Sequence, residues 1–497
     1  MVNSKRENLD RKQRWRHVNI FHTLKNKYHS DKVLITEWIM AGIIGAFIFV
    51  SFNYIDLKSL TIWSTNLWDV LYDGRFFDYY AFSAENIHNI SNQYVGCDIT
   101  AFLPWAVWNF PIWLVQRFGG LEIVKTPWML AWSKLFLVGV LAAVLYYTYK
   151  ICMMLTDNRN KSMWAVFLSA SSAFVYINIF YAGQNDLLSV FFSVVAIYKL
   201  MQNKQWIFLL FSALAISVKP FFLFPLIAVI LLYEKSIPKA VLKTASTLSV
   251  LLASKLLFLG APMYKESLQN GPINNMLLNI FSSKIVVGFG SISFFAMALV
   301  VVYFFCFTRK CLDDHTRNKY CIYAVMVTYM LYFMLSFDSF YRPMLLVPFL
   351  YIMIVQNKRL FQYNILLETF MSFFLTLHMA LRGSPIFRTI EINYTWVQQL
   401  FGEVKNRNEI RYPTLNFALA KIGRRLFAHI NIINILWPAI SGVAFICAFL
   451  LIVLNFPREK IKLPMDGEIC ERWILWLRMC IVLPFAALAL YCFFGVH

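Results

Sequence analysis

Three apolar runs follow one another in residues 181–236, YAGQNDLLSVFFSVVAIYKLMQNKQWIFLLFSALAISVKPFFLFPLIAVILLYEKS. A short basic turn at Lys204 separates the first two runs, and only Lys219-Pro220 separates the last two. A straight helix over 205–233 would be about 44 Å long, well above the hydrocarbon thickness of roughly 30 Å. This stretch therefore predicts three membrane spans with a proline break between the last two.

The composition extends this pattern to the whole chain. Of the 497 residues, 59% are hydrophobic and only 14% are charged, whereas soluble domains carry about 25% charged residues. A soluble enzyme, a coiled coil, a disordered scaffold and a secreted disulfide protein are excluded. The composition indicates an all-α polytopic membrane protein.

The net charge of +20 comes from bases that lie mainly between the apolar runs. Bases in these places are explained first by membrane topology and second by contact with anionic membrane lipids. No nucleic acid is expected as a partner. The nine Cys show no CxxC motif and no His/Cys cluster, so the spacing supports no structural metal site. Asp69 and Asp73 lie four residues apart, but a divalent metal is not supported and no cofactor is expected to be required.

Apolar runs and the bases between them predict about thirteen spans with a cytoplasmic N-terminus. The first span, 33–53, follows a basic segment, 1–32. If 101–117 crossed the membrane, the later basic loops would lie opposite that basic N-terminus. We therefore expect 101–117 to be a re-entrant or membrane-lying helix in a long first outer loop, 54–126. The remaining regions are a main transmembrane bundle over 127–381, an outer basic loop over 382–430 and a C-terminal pair of spans over 431–497.

The spans after the outer loop are expected at about 127–148, 163–181, 186–202, 205–219, 220–233, 244–260, 286–307, 319–336, 343–356, 361–381, 431–455 and 473–495.

Charged and amide side chains gather at the predicted outer ends of these spans. Carboxylates offer a general base, while Lys and Arg hold phosphate. Together they suit attack by a hydroxyl group on a phosphate-activated substrate. The candidate catalytic residues are Asp69 and Asp98, and the candidates for binding the substrate or donor phosphate are Lys219, Arg342, Arg382, Arg411, Gln184, Asn185 and His378.

Each binding candidate also has a structural interpretation, and Arg382 and Arg411 could bind anionic headgroups non-specifically. Lys219 is equally consistent with a lysine that reaches the membrane surface before a helix break. The Gln184-Asn185 pair could satisfy the backbone groups of a helix end. His378 could be a packed, hydrogen-bonded core histidine, and Arg342 a topological anchor.

Residues 181–236 resemble the GT-C membrane glycosyltransferases, in particular the family 87 group that resembles mannosyltransferases dependent on polyprenol-phosphate-mannose. The matching residues are Gly183-Gln184, Lys204 and Lys219-Pro220. Segments 66–80 and 97–113 look like the first outer loop of such enzymes, so the resemblance covers about 60–235. It implies a GT-C-like bundle whose first outer loop carries membrane-lying helices and an acidic residue that acts as base or acceptor binder.

The resemblance leaves the identity of the base open. GT-C enzymes carry an acid close behind the first span, where Asp56 is nearest but lacks the surrounding pattern. Asp69 comes later, and Asp98 matches a second acidic position before a helix with prolines. Either Asp69 or Asp98 is therefore expected to deprotonate the acceptor.

The resulting hypothesis is an inverting membrane glycosyltransferase of the outer face, by resemblance in a bacterial plasma membrane. It would move a sugar from a polyprenyl-phosphate donor to a glycan or glycolipid acceptor. The alternatives are an envelope polysaccharide polymerase or ligase that uses a diphosphate donor, and a transporter of lipid-linked oligosaccharide.

Overall fold

The structure is a computed structural model that describes residues 32–85, 94–123, 126–270, 279–288, 290–311, 313–336, 341–357, 360–381, 390–392, 432–457 and 472–487. Its architecture is mostly helical, as the composition predicts.

The first part of the chain contains α1 (Ile35–Ser51), β1 (Phe52–Tyr54), α2 (Ile55–Tyr72), α3 (Tyr79–Glu85), α4 (Leu103–Gly119), α5 (Pro127–Thr156), α6 (Arg159–Ala170), α7 (Ala173–Val175), α8 (Asp186–Met201), α9 (Gln205–Val218) and α10 (Leu223–Tyr233). The second part contains α11 (Ile237–Thr247), α12 (Ser249–Leu257), α13 (Tyr264–Asn270), β2 (Lys284–Val287), β3 (Gly290–Ser293), α14 (Phe294–Thr308), α15 (Asp314–Leu335), α16 (Val347–Gln356), α17 (Phe361–Leu381), β4 (Ile390–Ile392), α18 (Ile432–Leu454) and α19 (Arg472–Cys480).

Some of these helices have the length and composition needed to cross a membrane. Within the described residues two do so alone, Trp128–Thr156 and Leu436–Leu454, and the number rises to 4 if each of two bent helix pairs is one span. Other apolar helices, such as Gln205–Val218 and Arg342–Gln356, are shorter. The structure is thus that of a helical protein with two to four helices, among the described residues, that are long and apolar enough to cross a membrane. The count of about thirteen stays a prediction.

Three predicted spans differ from the structure. The span expected at 163–181 falls on two helical segments, Arg159–Ala170 and Ala173–Ala182, with a bend of 44° between them. The span expected at 244–260 is the second half of a pair, α11 and α12, that bends by 41°. The span expected at 286–307 begins with the antiparallel hairpin of β2 and β3, and its helix starts only at Phe294. Gly290 has a φ of 135°, which glycine adopts readily and which breaks the apolar run into a turn.

Residues 54–126, which the sequence predicts to be the first outer loop, contain two long helices, α2 and α4. One face of α4 is buried through Trp105, Ala106, Asn109, Ile112 and Trp113. The opposite face is exposed and apolar, and carries Leu103, Val107, Phe110, Leu114 and Phe118. These residues recur every three or four positions, so α4 has an apolar stripe along its exposed face.

Buried ion pairs join α19 to earlier parts of the chain. Arg472 Nη1 lies 2.6 Å from Glu37 Oε1 in α1, and Arg478 Nε lies 2.6 Å from Glu368 Oε2 in α17. Arg478 also donates to the carbonyls of Leu168 and Ser171 at the end of α6. Because buried charges are costly without partners, these contacts fix where α19 packs.

Glu368→Gln should lower the free energy of unfolding by roughly 3–5 kcal/mol, because it leaves the buried Arg478 charge uncompensated. Denaturant unfolding of the protein in detergent would measure this. Asp314→Asn is the control, since Asp314 forms an exposed pair with Arg317 and should change stability little. Equal effects of the two variants would contradict the assigned role of the Arg478 pair.

Candidate functional site

Gly183 begins the tight turn that leads into α8. It follows a segment of π-helix, Tyr176–Ala182, and has a φ of 64°. A Cβ atom at this position would lie only 2.9 Å from Leu57 Cβ in α2. The turn therefore needs a glycine both for its conformation and for its contact with α2. This contact brings Gln184 to the start of α2, where Asp56 lies.

The carboxylate of Asp56, at the start of α2, is partly buried. Gln184 Nε2 donates a hydrogen bond to Asp56 Oδ2. Burial raises the pKa of Asp56 to about 6, although the Gln184 hydrogen bond and the positive charges of Lys219 and Arg342 oppose the rise. A carboxylate of this kind is ionised at neutral pH and is a stronger base than an ordinary aspartate, as general base catalysis requires.

Lys219 and Arg342 supply positive charge beside Asp56. Lys219 directly follows α9, and Pro220 starts the 3₁₀ turn that separates α9 from α10, so the helix break predicted from the sequence is present. The Arg342 guanidinium carbon lies 4.6 Å from the centre of the Phe221 ring. Both cations are almost entirely buried. The segment Lys219-Pro220-Phe221 thus carries one cation and supports the other.

Asp98 lies in a segment that packs against the same region. Its carboxylate accepts from the Tyr264 hydroxyl at 3.0 Å and lies 3.0 Å from Lys255 Nζ. Thr100 Oγ1 donates to the Ser217 carbonyl, two residues before Lys219. Burial raises the pKa of the neighbouring Cys97 thiol, whereas the positive charges of Lys219 and Arg342 act to lower it. The structure therefore brings the Asp98 segment close to the two cations.

Asp69 lies in a different place. It is thirteen residues after Asp56 in the same helix, a separation of about 20 Å along the helix axis. Its Oδ1 accepts from Trp113 Nε1 at 2.9 Å and lies 3.8 Å from Arg117. Burial raises the pKa of Asp69, while the Trp113 hydrogen bond and Arg117 lower it. Asp69 is therefore not brought together with Lys219, because α2 is continuous between Asp56 and Asp69.

The remaining predicted residues are distributed as follows. Asn185 is buried in the turn beside Gln184. His378 Nδ1 lies 2.6 Å from Ser441 Oγ and lines a largely apolar cavity of about 250 Å³ with Pro343 and Leu346. Arg382 and Arg411 lie outside the described residues, as does the predicted outer basic loop apart from β4.

Two acids near Lys219 and Arg342 are not among the site residues that the sequence predicts. They are Asp56 and Asp186. Asp56 is the first acid after the first apolar run, and this position is the signal that could have identified it. Asp186 belongs to the same turn as Gln184. Among the described residues, no group of three or more His, Cys, Asp or Glu side chains could hold a metal ion.

Gly183→Ala should destabilise the protein more than Gly74→Ala. Both glycines have a positive φ, so each alanine costs about 1 kcal/mol or more in backbone strain. A Cβ at Gly74 meets no atom within 4 Å, whereas at Gly183 it meets Leu57. Thermal unfolding of the two variants in detergent would compare them, and equal shifts would contradict the close packing of the turn.

Comparisons with known proteins add no relative to this geometry. No family model matches the chain, and no curated protein and no solved structure matches it.

Proposed function

We propose that the chain is an integral-membrane glycosyltransferase that moves a sugar from a polyprenyl-phosphate donor to a hydroxyl group of a glycan or glycolipid. One observation carries this proposal. A partly buried carboxylate, Asp56, accepts a hydrogen bond from Gln184 and lies within the electrostatic influence of Lys219 and Arg342. A base beside two cations is the arrangement that a hydroxyl needs to attack a carbon bearing a phosphate leaving group.

In this reaction Asp56 takes the proton of the acceptor hydroxyl. The hydroxyl oxygen forms a bond to the anomeric carbon, and the bond from that carbon to the phosphate oxygen breaks. Polyprenyl phosphate leaves with the electron pair, and the positive potential of Lys219 and Arg342 stabilises its charge. One base and one displacement give inversion at the anomeric carbon.

Asp56 replaces Asp69 as the base in this proposal. The Asp69 carboxylate accepts a hydrogen bond from Trp113 and pairs with Arg117. It lies about 20 Å from the start of α2. Asp98 stays the second candidate because its segment packs beside Lys219. Its ion pair with Lys255 and its hydrogen bond from Tyr264 favour a role in holding that segment.

The lipid part of the donor has a suitable surface nearby. The cavity of about 250 Å³ is lined mainly by Met, Phe, Leu and Ala side chains, and Pro343 and Leu346 form part of its wall. Arg342 immediately precedes this wall. A donor with its phosphate near Arg342 would therefore place its first isoprene units against apolar side chains.

The membrane arrangement follows the sequence pattern. About thirteen spans with a cytoplasmic N-terminus put α2, Gln184, Lys219 and Arg342 on the outer face, by resemblance that of a bacterial plasma membrane. The exposed apolar stripe of α4 then lies in the outer leaflet, parallel to the membrane surface. A polymerase or ligase acting on a diphosphate donor, or a transporter of lipid-linked oligosaccharide, would share this placement.

Asp56→Asn should reduce sugar transfer by at least about 100-fold, because it removes the general base. The assay supplies the protein in nanodiscs with radiolabelled polyprenyl-monophosphate sugars and an envelope-lipid extract as acceptor. Asp69→Asn is the matched control and should keep most of the activity, since Asp69 lies at the other end of the same helix.

Loss of transfer in Asp98→Asn together with retention in Asp56→Asn would identify Asp98 as the base instead. Consumption of a diphosphate donor alone would favour the polymerase or ligase. Binding of a lipid-linked glycan without consumption of any donor would favour the transporter.

Transfer should fall as the pH drops below about 6, because protonation of Asp56 removes the base. The Gln184 hydrogen bond lowers the pKa of Asp56 by stabilising its ionised form. Gln184→Met should therefore raise that pKa and move the acid limb of the pH profile to higher pH. A profile measured between pH 5 and pH 8, with Asp69→Asn as the unshifted control, checks this, and an unchanged limb in Gln184→Met would contradict it.

A further inference from the structure

Asp186 is a buried carboxylate in the turn that carries Gln184. It is fully buried, and neither of its oxygens has a hydrogen-bond partner among the described residues. A buried carboxylate without hydrogen bonds is costly unless a positive charge compensates it. Arg342 Nε lies 3.8 Å from Asp186 Oδ1, close enough for this compensation.

Arg342 is held from two directions. Asp186 faces its Nε atom, and the Phe221 ring lies against the guanidinium plane. Phe221 follows Lys219 by two residues, so the ring that supports Arg342 belongs to the segment that carries the other cation. One of these two contacts of Arg342 therefore comes from the segment that carries Lys219.

We propose that Asp186 is a positioning residue that holds Arg342 beside Lys219 and so determines how tightly the site binds the phosphate of a lipid-linked donor. This inference rests on the proposed function and assigns a task to each end of one turn. Gln184 donates a hydrogen bond to Asp56, and Asp186 holds the position of a cation. The Gly183 contact with Leu57 holds both ends in place.

The first test measures binding of bare polyprenyl monophosphate to the full chain in nanodiscs, so it needs no transfer. Asp186→Asn keeps the shape of the side chain and removes its charge. We expect its affinity for polyprenyl monophosphate to fall about tenfold, the loss of one well-placed charged contact. Asp186→Glu restores the charge and should recover part of the affinity.

The second test separates positioning from general damage. In Asp186→Asn the KM for the sugar donor should rise by the same factor as the binding constant, whereas kcat should change much less. Phe221→Leu removes the ring under Arg342 and should act in the same direction, so a folding failure of Asp186→Asn does not leave the proposal untested. Asp314→Asn is the control, because Asp314 forms an exposed pair with Arg317 and its loss should change neither KM nor phosphate binding.

The outcomes distinguish the two proposals. If the unaltered protein binds polyprenyl monophosphate and both Asp186→Asn and Phe221→Leu bind it equally well, the role of Asp186 is refuted while the proposed function stands. A fall of kcat in Asp186→Asn with an unchanged KM also refutes it. If the unaltered protein binds no polyprenyl monophosphate and transfers no sugar, the proposed function itself fails.

Discussion

The candidate site depends on one constraint: residue 183 must be a glycine, which has no side chain. Its backbone packs against Leu57 with no room for a Cβ atom, so the turn before α8 lies close to the start of α2. This places Gln184 where it donates a hydrogen bond to Asp56. The same turn carries Asp186 towards Arg342, so one glycine links Asp56 to the cations.

The charges gathered there compensate one another. Two carboxylates, Asp56 and Asp186, face two cations, Lys219 and Arg342, in a largely buried volume. Burial alone would make four such charges very costly, and each is tolerable because an opposite charge is near. A bound phosphate would add negative charge beside Asp56, and a like charge raises the pKa of a carboxylate. The donor would therefore make the base stronger at the moment when the acceptor needs it.

Much of the fold could be predicted because apolar runs and proline breaks are local signals. Lys219-Pro220 interrupts the chain where the sequence indicates, and the short turn at Gly183-Gln184 is present. The hairpin of β2 and β3 lies where the sequence predicts the start of a span at 286, because Val and Ile are apolar in a strand as well as in a helix. A hydropathy pattern also cannot show the bend between α11 and α12.

The site was predicted only in part, for a different reason. Gln184, Lys219 and Arg342 carry recognisable local patterns, and the structure gathers them. Asp56 has no such pattern, and its role depends on contacts with residues more than a hundred positions away, such as Gln184. Asp69 sits beside aromatic residues that looked like part of a site, but the length of α2 separates it from the cations. Helix packing decides which acids lie near the cations, and no short stretch of sequence shows how the helices pack.

The ion pairs of α19 have a consequence for biosynthesis. Glu37 and its partner Arg472 are separated by 435 positions. At the usual rate of chain synthesis, 5–20 residues per second, α1 leaves the ribosome about 20 to 90 s before its counter-charge exists. During that interval the Glu37 carboxylate must stay in contact with water or another cation. We therefore expect α1 to take its final position only after α19 has been made, so truncation of the nascent chain before Arg472 would leave Glu37 without this partner.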